Sequence, residues 1–204
     1  MKCLVFGATG LTGSELTNQL LELGHEVHCA VRTIGKTRGI EHTVDFSSDL
    51  IIKEQSFDHV FNCLGTTIKK AKSKEAFKDV DYNYSLKAFQ YAKKSGAKTF
   101  CSISALGAKA NSLFFYNQVK GQLEEALVND DIKVILIRPG LLVGKREEFR
   151  LTEWISIKLL GGIGNLLPYN LKKYAPVKAS IVAKTMIELT LTGETSIPLE
   201  HIIK

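Results

Sequence analysis

The 204-residue chain lacks most of the marks that would set it apart from ordinary globular proteins. It contains no internal repeat and no low-complexity stretch, which argues against solenoids and disordered tails. No apolar run approaches the length of a membrane span. No cysteine pair has C-x-x-C spacing, and no His/Cys cluster marks a metal site. The four cysteines, Cys3, Cys29, Cys63 and Cys101, fall in or beside expected central strands. They read as buried, reduced thiols acting as small apolar residues, which favours a reducing compartment. The five histidines are scattered and read as structural or exposed. The net charge is +6, but no basic stripe interleaved with aromatics is present, so no nucleic-acid partner is expected. The densest basic region, Lys69 to Lys78, reads first as a solvated loop and helix face, and second as a rim that steers phosphate. The N-terminus reads as a strand and not as a signal peptide. The expectation is a cytoplasmic protein without membrane association.

What is present begins at Lys2. A short apolar run, Cys3-Leu4-Val5-Phe6, reads as a buried strand. Gly7, Gly10 and Gly13 follow in G-x-x-G-x-x-G spacing, and Ser14 to Leu23 has helical periodicity. Strand, glycine turn and helix open a dinucleotide-binding fold. Gly7 leaves the strand in a tight turn. Gly10 lets backbone approach a pyrophosphate. Gly13 lets helix and strand pack closely. The phosphates would meet free N–H groups at the positive end of the first helix, with Thr9 and Thr12 adding hydroxyls.

Five further strand signals follow: Glu26 to Arg32, Thr43 to Phe46, His59 to Leu64, Lys98 to Ile103 and Asp131 to Arg138. Helical stretches separate most of them, including a long one from about Asp79 to Lys94. The expected fold class is α/β: a doubly wound parallel sheet of Rossmann type, strand order 3-2-1-4-5-6. Ile197 to Ile203 would add a seventh edge strand. The roughly 60 residues after the sixth strand are too few for a second full domain. A single domain over residues 1–204 is expected, with a small cap at about 145–178. Within or beside that cap, helices are expected over Thr152 to Leu160 and Ala179 to Thr190. The first of these could pack against a second copy, so a homodimer or a protein partner is an expectation.

The end of the second strand chooses the cofactor. An acidic residue there would bind the 2′-hydroxyl of NAD. This chain has Val31-Arg32-Thr33, with Lys36 and Arg38 close by. A guanidinium suits a 2′-phosphate, so NADP(H) is expected over NAD(H). Asp45 and Phe46 would lie near the adenine.

The fifth strand ends in Ser102-Ile103-Ser104, and Tyr116 and Lys120 follow at i, i+4 on one helix face. The spacing suits carbonyl reduction. A neighbouring ammonium favours the phenolate, so the tyrosine could trade a proton near neutral pH. A serine hydroxyl could bond the substrate oxygen.

With these residues in view, the chain resembles an atypical short-chain dehydrogenase/reductase. The likeness rests on GATGLTG at 7–13, Arg32, Asp45-Phe46, CLGTT at 63–67, Ser104, Tyr116-x-x-x-Lys120 and Arg138-Pro139-Gly140. It is more narrowly similar to the Tat-interacting-protein family of NADPH-binding proteins, through CLGTT, VD-x-x-Y at 80–84 and F-x-Y-x-Q-V-K-G at 114–121. The resemblance implies NADP(H) binding by Gly7, Thr9, Gly10, Leu11, Thr12, Gly13, Arg32, Asp45, Phe46, Leu64, Gly65, Tyr116, Lys120 and Pro139. It implies reductase roles for Ser104, Tyr116 and Lys120. One position departs. The superfamily often has an asparagine near the start of the fourth helix, and here Asp81 stands there with Asn83 close by.

The leading expectation is an NADP(H)-dependent oxidoreductase acting on a small carbonyl or enone. The alternative is a non-catalytic, NADPH-dependent regulatory or protein-binding module. A nucleotide-sugar epimerase ranks lower, because it would need a larger substrate domain.

Overall fold

The computed structural model describes residues 1–48, 50–52, 56–128, 131–143 and 176–194. Its chain order is β1 (Lys2–Phe6), α1 (Leu11–Glu22), β2 (Glu26–Val31), β3 (Ile40–Thr43), β4 (His59–Asn62), α2 (Ile68–Ala71) and α3 (Lys74–Lys78). A π-helical turn (Asp79–Tyr84) then runs into α4 (Ser85–Lys94). After it come β5 (Thr99–Ile103), α5 (Phe115–Ala126), β6 (Lys133–Ile137), β7 (Leu142–Val143), β8 (Val177–Lys178) and α6 (Ala179–Leu191). The sheet is parallel with order β3-β2-β1-β4-β5-β6, as expected, and β7 pairs with β8 in a separate two-stranded ladder.

The apolar runs follow from this topology. A parallel sheet covered on both faces wants strands without a polar side. In β1, Cys3 and Val5 join the core on one face with Leu16, Leu20, Val182 and Met186. Leu4 and Phe6 join the core on the other face with Phe89, Phe100 and Leu123. Cys3, Leu4, Val5 and Phe6 all have zero exposure. Burial of each such side chain stabilises the fold by roughly 1.5–3 kcal/mol. The first face is closed by α1 and α6, which Gln19 links through a 3.0 Å bond to the Ser180 carbonyl.

Two expectations are corrected. The third strand lies at Ile40–Thr43, where Thr43 to Phe46 was expected. Val44 and Phe46 are apolar because they turn under the sheet into the second core. Asp45 caps that turn, accepting from the Ser47 amide (2.9 Å) and hydroxyl (2.7 Å). Within the basic Lys69 to Lys78 stretch, α2 and α3 replace much of the expected loop; Thr67 and Ser73 cap them by accepting from Lys70 N and Ala76 N. The expected Thr152 to Leu160 helix, the Ile197 to Ile203 strand and nearly all of the 145–178 cap lie outside the described residues. No described helix is long and apolar enough to cross a membrane.

Candidate functional site

The order of strands reverses between β1 and β4, so the loops after these two strands diverge and leave a crevice at the C-terminal edge. Gly7 fills the tightest point. Its φ is +75°, and a Cβ there would meet the Cys63 carbonyl oxygen at 2.5 Å. The turn is closed by a 2.8 Å bond from Gly10 N to the Gly7 carbonyl. Gly10 caps α1 without a side-chain hydrogen bond, and no carboxylate sits in the first turn. Amide groups and the positive helix end therefore face the crevice, which is what a pyrophosphate requires. Thr9 and Leu11 are half-buried beside it and Thr12 is buried.

At the tip of β2, Arg32 is exposed and makes no ion pair with a described residue. Lys36 and Arg38 are also exposed. The loop carrying them is pinned by Glu41, whose carboxylate accepts from the amides of Gly35, Lys36 (2.9 Å) and Thr37 (2.6 Å). Sequence reasoning missed Glu41; an acid six residues after a glycine in a basic loop is too weak a signal alone. Asp45 is exposed, whereas the Phe46 ring is buried and stacked on Tyr84 at 5.0 Å. An open cleft of about 500 Å³ lies beside them, lined by Phe46, Ser47, Asp79, Asn83, Tyr84 and Lys87 among others. Leu64 packs against the second core, Gly65 is exposed at the end of β4, and Pro139 is buried at the end of β6.

Tyr116 and Lys120 share one face of α5, with different surroundings. Tyr116 is 39% exposed, its ring 5.7 Å from Phe77. Lys120 is 3% exposed, and its Nζ lies 2.8 Å from Asp81 Oδ1. Asp81 is 1% exposed; its other oxygen accepts from the Thr66 amide at 2.8 Å. The helix that presents Asp81 is π-helical there, a widened turn that recurs at functional sites. Gly65 covers the pair: a Cβ on it would come within 3.4 Å of Asp81 Oδ1.

This arrangement adds a carboxylate to the expected proton chemistry. Lys120 was expected to favour the phenolate. The net effect on Tyr116 is upward: partial desolvation raises its pKa first, Lys120 pulls it down, and Asp81 pushes it up again. The ammonium acts toward the phenolate as expected, the carboxylate opposes it, and desolvation is the largest of the three effects.

Ser104 is also engaged. It is 4% exposed, and its hydroxyl donates to Glu124. Glu124 is held from its other side by Arg138, through Nε at 2.8 Å and through a terminal nitrogen. Tyr116, Lys120 and Glu124 recur every fourth residue along α5, a spacing that could have flagged Glu124. The loop between Ser104 and Tyr116 lies tight on α5 because residue 121 is glycine: a Cβ there would meet the Lys109 carbonyl carbon at 2.1 Å.

A doubly wound sheet with a glycine turn at its crevice defines an NAD(P)-binding protein of the atypical short-chain dehydrogenase/reductase class. The chain belongs to the NAD dependent epimerase/dehydratase family, whose model matches residues 3–113. Among curated relatives, a Debaryomyces hansenii protein named "Protein FMP52, mitochondrial" is 31% identical over 93% of this chain and 87% of its own. Rat "Protein HTATIP2" is 35% identical over 78% of this chain and 70% of its own, in keeping with the Tat-interacting-protein likeness. Among solved structures, human epimerase family protein SDR39U1 with NADPH matches with a TM-score of 0.66. That match is 18% identical and covers 96% of this chain and 72% of the human one, a likeness of fold.

The names of the yeast relatives overturn the cytoplasmic expectation: four at 28–36% identity are called mitochondrial. Reduced thiols report the redox chemistry around a fold. They do not report its address, which receptors read from targeting signals.

Proposed function

We propose that the protein is an NADP(H)-dependent oxidoreductase that reduces a small carbonyl or enone. The observation that carries this reading is the Tyr116 phenol, exposed at the C-terminal sheet edge with Lys120 one turn along the same helix face. Bound NADP(H) would supply the hydride, and the chain's residues would place the reactants. The Gly7 to Gly13 turn and the α1 amides would hold the pyrophosphate, with Thr9, Leu11 and Thr12 around it. Arg32, backed by the loop that Glu41 pins, would take the 2′-phosphate. Asp45, Phe46, Leu64 and Gly65 would border the adenosine side, and Lys120 and Pro139 the nicotinamide side. Tyr116 would give its proton to the substrate oxygen. Ser104 would orient that oxygen once its hydroxyl is released from Glu124.

A second reading draws on a specific observation. Lys120 and Ser104 are both already satisfied by buried carboxylates, as they would be in a nucleotide-dependent binding module without turnover.

Titration with NADPH and NADH, followed by nicotinamide fluorescence, tests the first step. NADPH should bind more tightly, and Arg32→Ala should weaken NADPH tenfold or more while leaving NADH nearly unchanged, on the order of a lost charge-assisted pair. Binding of neither nucleotide would sink the reading. A substrate panel with Tyr116→Phe then separates the two functions: loss of turnover supports the enzyme, and unchanged turnover removes Tyr116 from the chemistry.

A further inference from the structure

The connection between β2 and β3 is unusually short. Two parallel strands are ordinarily joined by a crossover of a dozen or more residues, most often a helix. Here Val31 and Ile40 are joined by residues 32–39, and no helix lies among them. A crossover helix pairs its own amides. This loop does not, and Glu41, the second residue of β3, supplies the acceptor.

The Glu41 carboxylate takes the amides of Gly35, Lys36 (2.9 Å) and Thr37 (2.6 Å) in succession. Gly35 has a φ of +78°, and the loop there turns three consecutive N–H groups inward, a concave backbone site suited to an anion. The far end of the loop is held by packing: a Cβ on Gly39 would lie 2.7 Å from the Val27 carbonyl oxygen, so this residue rests directly on β2. Arg38 is therefore set between a pinned residue and a packed one, and Lys36 is itself pinned. Arg32 stands where the loop leaves β2. All three cations are exposed, and Glu41 spends its oxygens on backbone amides rather than on them.

We propose that Glu41 is the positioning residue for cofactor choice: by prefolding the β2–β3 loop it fixes Lys36 and Arg38 in one setting with Arg32, so that a group of three cations selects a 2′-phosphorylated nucleotide. This deepens the NADP(H) reading and rests on it.

Glu41 acts on a bound 2′-phosphate in two ways of opposite sign. Its charge repels the phosphate, and its bonds remove the need to order the loop at binding. The second effect is the larger. Repulsion from a half-exposed carboxylate is screened by water and salt. Ordering a residue's backbone only when the ligand arrives weakens affinity roughly tenfold for each residue ordered, and Glu41 pins three residues. Three cations within seven residues also repel one another, and Glu41 is the sole carboxylate between Val31 and Val44 to offset them. NADH carries no 2′-phosphate, so it makes no use of these cations and is indifferent to Glu41.

The test pairs nucleotide binding with protection of the loop. NADPH and NADH are titrated by nicotinamide fluorescence into wild type and Glu41→Ala, and exchange of the Gly35, Lys36 and Thr37 amides is followed by NMR without nucleotide. In Glu41→Ala, NADPH should weaken about tenfold or more, NADH should stay within about twofold, and the three amides should exchange about tenfold faster or more. Lys36→Ala with Arg38→Ala should cost NADPH less in the Glu41→Ala background than in wild type, because the loop has already lost its setting. Tighter NADPH binding by Glu41→Ala would overturn the proposal, since repulsion would then be the main effect. So would unchanged exchange, faster exchange with an unchanged NADPH preference, or additive effects of Glu41 and the two cations. Equal weakening of NADPH and NADH would overturn it too, as general damage to the fold. If Glu41→Ala does not fold, Glu41→Thr, which suits an edge strand and lacks the carboxylate, takes its place with the same expected results. Failure of wild type to bind either nucleotide sinks the NADP(H) reading and this proposal together, whereas a preference for NADPH that outlives Glu41 sinks this proposal alone.

Discussion

Replacing Glu124 with alanine is the sharpest probe of how the site is held. Glu124 has a side-chain exposure of 10% and takes three hydrogen bonds, one from Ser104 and two from Arg138. Deletion leaves the Arg138 guanidinium without its partner and Ser104 without its acceptor. A charge-assisted bond contributes roughly 1.5–3 kcal/mol, and breaking a fully buried pair costs about 3–5 kcal/mol. The Arg138 side chain is 32% exposed, so water recovers part of that loss. About 3 kcal/mol is the expected cost, which in a domain of this size is a fall in Tm of about 6–12 °C. Urea unfolding at neutral pH gives the free energy, and calorimetry gives the Tm. Glu124→Gln keeps an oxygen for Ser104 and should lose only about 1–2 kcal/mol. Glu124→Leu with Arg138→Met should recover most of the loss, because two matched apolar groups carry no unpaired charge. A Glu124→Ala variant within about 0.5 kcal/mol of wild type would refute the reasoning.

Gly121→Ala offers a test in which two effects disagree in sign. Helix propensity alone favours alanine by about 1 kcal/mol, but a Cβ would lie 2.1 Å from the Lys109 carbonyl carbon and 2.2 Å from Ala110 N. Net destabilisation of about 1–3 kcal/mol is expected, with faster proteolysis between Ser104 and Tyr116; a more stable variant would show that the loop does not lie where it is placed. His59 supplies the pH dependence. Burial is the main reason its pKa falls below the ordinary 6.5, and its ring bonds Thr99 at 2.8 Å. The unfolded chain takes up a proton below about pH 6.5 before the folded one does, so stability present above that pH is lost as pH falls, by at most about 1.4 kcal/mol per pH unit. Denaturation of wild type and His59→Gln from pH 7.5 to 5 should show the two stabilities converging on acidification; parallel lines would refute the assignment.

The sheet order was legible because its signals are local. Apolar runs such as Cys3 to Phe6 and turn residues such as Gly7 report on themselves. The third strand was misplaced for the same reason. Ile40–Thr43 is IEHT, a polar edge strand whose pairing with His28 to Val31 no local pattern announces. The more apolar TVDF attracted the assignment, yet its Val44 and Phe46 serve the core beneath. In the site, the Tyr116 and Lys120 spacing could be read, but their partners could not. Asp81 and Lys120 are 39 residues apart, and Ser104 and Arg138 meet on Glu124, 20 residues after the one and 14 before the other. Such pairings exist only after the sheet has brought helix and strand ends together.

Those pairings also explain how a chain of net charge +6 can keep a nearly neutral interior at its crevice. Lys120 and Arg138 are the cations set beside the candidate chemistry, and each is matched by a carboxylate from another element or turn. The unmatched charge lies outside, on Arg32, Lys36 and Arg38 at the end of β2 and on Lys69, Lys72, Lys74 and Lys78 after β4. Exposed charges act at long range and are screened by salt over about 10 Å, whereas buried pairs are screened far less. Attraction of an anionic ligand is therefore carried by the exposed rim, apart from the buried pairs beside Tyr116 and Ser104. Salt and rim substitutions should weaken that attraction while leaving the buried pairs in place.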